Sequence, residues 1–115
     1  MTTRKSIRIA SASLASLALS AQAIAAQWVT SITATQVISG NSGGEYVQLL
    51  VASTIVNPAA CATSDSYIIR DPAIVKNALA IGLTAIAAGR QIRVYVSDSC
   101  DAPTGRPLAI SIGLM

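Results

Sequence analysis

Reactive side chains are scarce in this sequence, and the residue most often used as a catalytic base is missing. No His occurs among the 115 residues. Nucleophilic catalysis needs a base beside the nucleophile, so the serines and threonines have no obvious activator. A Ser-Lys arrangement would have to use Lys76, which the helical pattern below puts on the solvent side. Five acids could in principle supply a pair of carboxylates for acid–base work on a glycosidic bond. Asp71 is better explained as a helix cap, and Glu45, Asp65, Asp98 and Asp101 fall in or beside loops. The sequence therefore predicts a protein that is not an enzyme.

Two further motifs have plain structural explanations. Ser97-Asp98-Ser99-Cys100-Asp101 carries oxygen ligands, but calcium takes six to eight of them and two Asp residues fall short of an EF-hand pattern. It reads as a solvated loop around a cysteine, and no metal or other cofactor is expected. Gly40-Asn41-Ser42-Gly43-Gly44 lacks the Lys and Ser/Thr of a phosphate-binding loop and opens no helix, so it reads as a turn.

Recognition chemistry is better represented. Trp28, Tyr46, Tyr67 and Tyr95 are the aromatic residues, and Phe is absent. Tyr and Trp join an apolar ring to a polar tip, a combination suited to wet recognition surfaces, including those that bind sugars. Tyr95 shares a strand face with Arg93 and Gln91, and Tyr46 shares one with Gln48. We take Tyr46, Gln48, Tyr67, Arg93 and Tyr95 as the candidate binding residues, with a glycan or another cell-envelope molecule as the expected ligand.

The amino terminus predicts the compartment. Arg4, Lys5 and Arg8 come first with no acid, then an apolar stretch from Ile9 to Leu19, then Ala21-Gln22-Ala23-Ile24-Ala25. This is the order of a secretory signal peptide, cut after Ala23 or, as we favour, after Ala25. The expectation is export to the periplasm or the medium, with residues 1–25 as leader and 26–115 as a single domain. The leader's apolar stretch is shorter than the ~20 residues a membrane span requires, so no membrane span is expected.

Processing would also neutralise the chain. Of eight Lys and Arg residues, three leave with the leader; the remaining five face five acids, so the formal +3 disappears. A nucleic-acid binder is expected to keep a basic field, so none is predicted as a partner. Cys61 and Cys100 are the only cysteines. In an oxidising compartment they are expected to pair, closing a loop of about 40 residues worth roughly 4 kcal/mol. A metal-ligand role is disfavoured without His or a C-x-x-C spacing.

The elements that must position these residues follow from periodicity. Trp28 to Ile38 is rich in Val, Ile and Thr and reads as one strand with imperfect alternation, open to a bulge or a two-sided environment. Glu45 to Val56, with Val47, Leu49, Val51 and Ile55 on one face, completes a hairpin around the Gly-rich turn. Asn57-Pro58 ends that strand. Ser66 to Arg70 is a short third strand.

Asp71-Pro72 then predicts a helix start, with Asp as N-cap and Pro at the first helical position. Ile74, Val75, Ala78, Leu79, Gly82, Leu83 and Ile86 make one apolar stripe, and Gly89 supplies the stop. Arg90 to Ser97 alternates, with Ile92, Val94 and Val96 inward. After a polar loop from Asp98 to Arg106, Pro107 to Met115 alternates with Leu108, Ile110, Ile112 and Leu114 on one face. Ala109, Ser111 and Gly113 leave its other face almost bare, which invites close approach by another backbone.

The expected fold class is mainly β, in the order β-β-β-α-β-β. One helix between the third and fourth of five strands is the element order of a small OB-like five-stranded barrel. An open antiparallel sheet carrying a helix has the same order, so element order alone does not fix closure.

Trp28-Val29, Asn57-Pro58-Ala59-Ala60-Cys61, the run from Ala85 to Val96 and Cys100 resemble a group of small exported bacterial proteins. Their fold is similar to the binding subunit of subtilase cytotoxin and related AB5 toxins. The resemblance spans nearly all of residues 26–115, and its motifs are structural. It implies an OB-like fold and makes a homopentamer conceivable. Those toxin subunits bind glycans, but none of their sugar-contacting positions carries over to a residue here. Two functions follow as expectations. One is a non-catalytic exported binding module; the other is an assembly protein that homo-oligomerises through the bare face of its last strand.

Overall fold

The computed structural model describes residues 25–115. The expected leader therefore falls, apart from Ala25, outside the described residues. The described chain is mainly β, with strands β1 (Gln27–Ile32), β2 (Ala34–Gly40), β3 (Tyr46–Val51), β4 (Tyr67–Ile69), β5 (Ile92–Asp101) and β6 (Arg106–Leu114). One helix, α1 (Val75–Ala88), lies between β4 and β5. The six strands form a sheet in the order β1-β5-β6-β4-β3-β2. Its neighbours are antiparallel except β4 and β6, which run parallel at Ile68 and Leu108.

The count of five strands is corrected to six. The expected first strand is two, β1 and β2, separated by Thr33 and placed at opposite ends of the sheet. The break begins at Ser31, whose φ of 56° lies in the left-handed region. There β1 gains one residue over β5, since Val29 stands opposite Val94 but Ile32 stands opposite Ile92. Such a bulge bends a strand and sharpens its twist. The chain thus leaves β5 and pairs next with β3. No ladder joins the end strands to each other, so the sheet is not closed into a barrel.

The β2–β3 hairpin forms, with Gly40 opposite Tyr46, but β3 ends at Val51, short of the expected Val56. Val47 and Leu49 point into a core that also takes Ile32, Tyr67, Ile69, Ile92, Val94 and Val96. Burial of this kind contributes about 25 cal/mol per Å² of apolar surface and is the main force holding the sheet to α1.

The helix begins later than Asp71-Pro72 suggests. Asp71 Oδ1 accepts a hydrogen bond from the Ala73 amide at 2.9 Å, and the Asp71 carbonyl accepts from Ile74 and Val75 at 3.0 Å each. This makes a turn ahead of the helix, and Ile74 occupies the N-cap with no side-chain cap bond. Asp competes well for local backbone amides, which favours such turns as much as caps. The far end agrees with the sequence. Gly89, at φ 65°, takes the left-handed conformation, and the Arg90 amide closes on the Ala85 carbonyl at 2.9 Å.

The buried stripe is narrower than the apolar pattern implied. Val75, Ala78, Gly82 and Ala85 are buried, whereas Leu83 and Ile86 are exposed. The helix docks through its small residues because β2 lies very close. A Cβ on Gly82 would sit 2.6 Å from Val37 Cγ2.

The last two strands also depart from expectation. Residues 98–101, read as loop, extend β5 to Asp101, so Cys100 lies on a strand opposite Pro107. Along β6, Ser111 stands opposite Tyr95 of β5 while Ala109 stands opposite the adjacent Val96. Ile110 is the extra residue of that bulge and is exposed, while Pro107 and Ala109 turn inward. The predicted common face of Leu108, Ile110, Ile112 and Leu114 is therefore broken at Ile110, because one added residue inverts the side-chain alternation. Ala109 likewise leaves the bare face.

The disulfide is present. Cys61 and Cys100 are joined with Cα atoms 5.6 Å apart, tying the loop before β4 to the end of β5.

Candidate recognition surface

Alternation along β5 separates core from surface. Ile92, Val94 and Val96 are fully buried, so Arg93 and Tyr95 project from the opposite face. The neighbouring strands decide what surrounds them. On one side Tyr95 stands opposite Trp28 of β1; on the other, Tyr95 and Arg93 stand opposite Ser111 and Gly113 of β6.

The Trp28 and Tyr95 rings meet edge to face, with centroids 5.3 Å apart and planes at 73°. The Arg93 guanidinium carbon lies 5.2 Å from the centre of the Trp28 ring. Beneath Arg93 there is little space, since a Cβ on Gly113 would sit 3.2 Å from Arg93 Nε. The bare positions of β6 thus serve the neighbouring strand by giving Arg93 room to lie across the sheet.

This surface offers an aromatic wall, a cation and a floor of small residues. Trp28 is 49% exposed. The two ion pairs among the described residues are Arg70–Asp101 and Arg106–Asp65, and Arg93 belongs to neither. Amphipathic rings beside a guanidinium can hold a polar ligand by stacking, hydrogen bonding and charge. Trp28, absent from the five candidate residues, joins Arg93 and Tyr95 on this surface. Its partner lies 67 positions along the chain, a pairing that only β1–β5 registration supplies.

Tyr46 and Gln48 go elsewhere. Arg70 stacks 4.6 Å from the Tyr46 ring centre and donates to the Ser42 and Gly44 carbonyls at 2.8 Å each. It also forms a two-point ion pair with Asp101, through Nε and Oδ1 and through Nη2 and Oδ2, the latter at 3.2 Å. Gln48 Nε2 donates to Ser66 Oγ at 2.9 Å, and that hydroxyl donates to Asp65 Oδ1 at 2.9 Å. Asp65 in turn pairs with Arg106 at 2.6 and 3.1 Å. These side chains satisfy one another and lock the loops between strands.

Asp101 is engaged in the same way. Burial raises its pKa, but hydrogen bonds from Arg70 and Thr104, with the Arg70 charge, outweigh that and hold it below the ordinary value. Thr104 Oγ1 donates to Asp101 Oδ2 at 2.7 Å. Among the described residues no group of three or more Cys, Asp and Glu is placed to hold a metal ion.

Tyr67 belongs to the core. It is fully buried, and its hydroxyl accepts a hydrogen bond from the Val56 amide at 2.9 Å. Burial pushes its phenol pKa up, against the lowering effect of that bond. Of the five candidate residues, Arg93 and Tyr95 therefore share one surface, Tyr46 and Gln48 enter the polar network, and Tyr67 is withdrawn from solvent.

The chain matches no protein-family model and no curated protein. Among the described residues no helix is long and apolar enough to cross a membrane.

Proposed function

We propose that this chain is an exported, non-catalytic binding module with an OB-like architecture, which engages a glycan or another envelope molecule. The observation that carries the reading is the exposed Trp28 ring, edge-on to Tyr95 and overlain by Arg93, on the outer face of β1, β5 and β6. Tyr and Trp are favoured where one end of a ring must be apolar and the other wet. The strand order supports the OB-like part. If β1 and β2 count as one bent strand, five strands remain, with that strand at both ends and one parallel pairing, β4 with β6. The disulfide supports export, since such bonds persist in oxidising compartments. Likeness to toxin binding subunits rests on the sequence motifs alone.

The test is a glycan array probed with protein recovered from the periplasm and the medium. Binding that disappears in Trp28→Ala and Tyr95→Ala but persists in Tyr67→Phe supports the reading. Binding that survives both aromatic losses removes it.

A second reading, assembly through homo-oligomers, draws on Leu83 and Ile86, which α1 leaves exposed one turn apart. A concentration-independent oligomer that dissociates in Leu83→Asp, with no array signal, favours it over the first.

A further inference from the structure

The bulge that breaks the first strand is held by an oxidisable atom. Ser31 adopts its left-handed conformation without being Gly, a strained backbone that persists only where the surroundings enforce it. The enforcing contacts come from one short segment and one residue. The Ser31 amide donates to the Met115 thioether sulfur at 3.0 Å, and Gln91 Nε2 donates to the Ser31 carbonyl at 3.3 Å. Met115 is itself fixed, its amide donating to the Gln91 carbonyl at 2.9 Å and its carbonyl accepting from Arg90 at 2.6 and 3.2 Å. Met115 is 48% exposed, so oxidants reach it. Three residues before Ser31 stands Trp28, whose position opposite Tyr95 depends on where the bulge places the register.

We propose that Met115 is a reversible oxidation site for hydroperoxides that controls the β1 bulge and, through it, the geometry of Trp28. A sulfur lone pair attacks the outer oxygen of the peroxide. The sulfur–oxygen bond forms as the oxygen–oxygen bond breaks, and the departing oxygen leaves as water or an alcohol after taking the proton that the transferred oxygen carried. Sulfur loses two electrons and the peroxide gains them. Methionine sulfoxide is polar and chiral, and reductases return it to the thioether. Its oxygen is a far better acceptor than the thioether sulfur, itself only a weak one, and stands one bond further out. The Ser31 amide cannot bond to it without moving. The bulge shifts, and Trp28 leaves its edge-on contact with Tyr95.

The site borders the surface proposed for recognition, but its readout is Trp28 itself, so it stands or falls apart from any ligand. Trp28 is the only tryptophan in the sequence, which makes its fluorescence specific. The full-length chain is treated with dilute hydrogen peroxide, and oxygen uptake is located by peptide mass mapping. The expected result is one added oxygen at Met115 with a red shift of the Trp28 emission. Methionine sulfoxide reductase reverses both, and Met115→Leu, a volume-conserving change, shows no shift under the same treatment. Oxygen at Met115 with unchanged emission overturns the proposal. So does an equal shift in Met115→Leu, or a Met115 that stays unoxidised while free methionine reacts.

Discussion

Trp28 and Tyr95 face one another across β1 and β5, 5.3 Å between ring centres, on the side of the sheet away from the core. Such edge-to-face pairs contribute about 0.5–1.5 kcal/mol beyond the area they bury. Trp28→Ala should therefore cost about 1 kcal/mol of stability while removing the proposed recognition surface. Tyr67→Phe should behave in the opposite way. It leaves the Val56 amide without its acceptor, a loss of about 1–3 kcal/mol, and does not touch the surface. Urea unfolding of both variants beside the array signal checks the separation. A binding loss in Tyr67→Phe equal to that in Trp28→Ala would contradict it.

What the sequence made legible was local. The β2–β3 hairpin, the helix stop at Gly89, the inward face of β5 and the Cys61–Cys100 bond each rest on a period, a glycine or a count of two. What it hid depends on registration between distant segments. Ser31 has no composition signal for a left-handed bulge, so one strand looked continuous where two exist. Ile110 keeps the alternation on paper, yet an extra residue in β6 turns it outward. Asp101 looked like loop because its partner, Arg70, is 31 residues away. Tyr67 carries the same polar tip as Tyr95, and only the fold tells that Tyr67 is buried against the Val56 amide.

Gly82 lets α1 approach β2, and the cost of filling it can be separated into parts. Gly82→Ala gains up to about 1 kcal/mol of helix propensity. Its new Cβ would stand 2.6 Å from Val37 Cγ2, on a β-branched side chain with little rotamer freedom, and overpacking of this kind costs about 1–3 kcal/mol. A net loss of about 1 kcal/mol is expected. The double variant Gly82→Ala with Val37→Ala should be less destabilised than the two single losses summed, by about 0.5–3 kcal/mol. Strict additivity in chemical denaturation would show that the helix does not press on Val37.

Cys61 is held twice, by the disulfide and by Asn57, which donates to its carbonyl at 3.0 Å and accepts from its amide at 2.8 Å. The covalent link spans 39 positions, for which loop-closure entropy gives about 4 kcal/mol. Cys61→Ala, Cys100→Ala and the double variant should each lose about that much, because either single change already opens the loop. Urea midpoints compared with wild type, with and without reductant, test this. A reductant that leaves the wild-type midpoint unchanged would place the stabilisation elsewhere.

Acid should attack the Arg70–Asp101 contact. The Asp101 carboxyl titrates below its ordinary 3.8 in the folded chain, because Arg70 and Thr104 outweigh the effect of burial. The unfolded chain therefore binds this proton at a higher pH than the folded chain does, so the group contributes stability above the ordinary value and loses it as pH falls through the folded one. Asp65 is shifted the same way, chiefly by the Arg106 hydrogen bond. Wild-type stability should be level near neutrality and fall below about pH 4. Asp101→Asn keeps an oxygen for Thr104 but drops the charge that Arg70 faces. It should lose about 2 kcal/mol at neutral pH, as expected for hydrogen bonds to a charged group, and show a shallower acid limb than wild type. Thermal unfolding from pH 7 down to pH 2 distinguishes the cases. An Asn variant with an unchanged acid slope would mean that Asp65, not Asp101, carries the pH dependence.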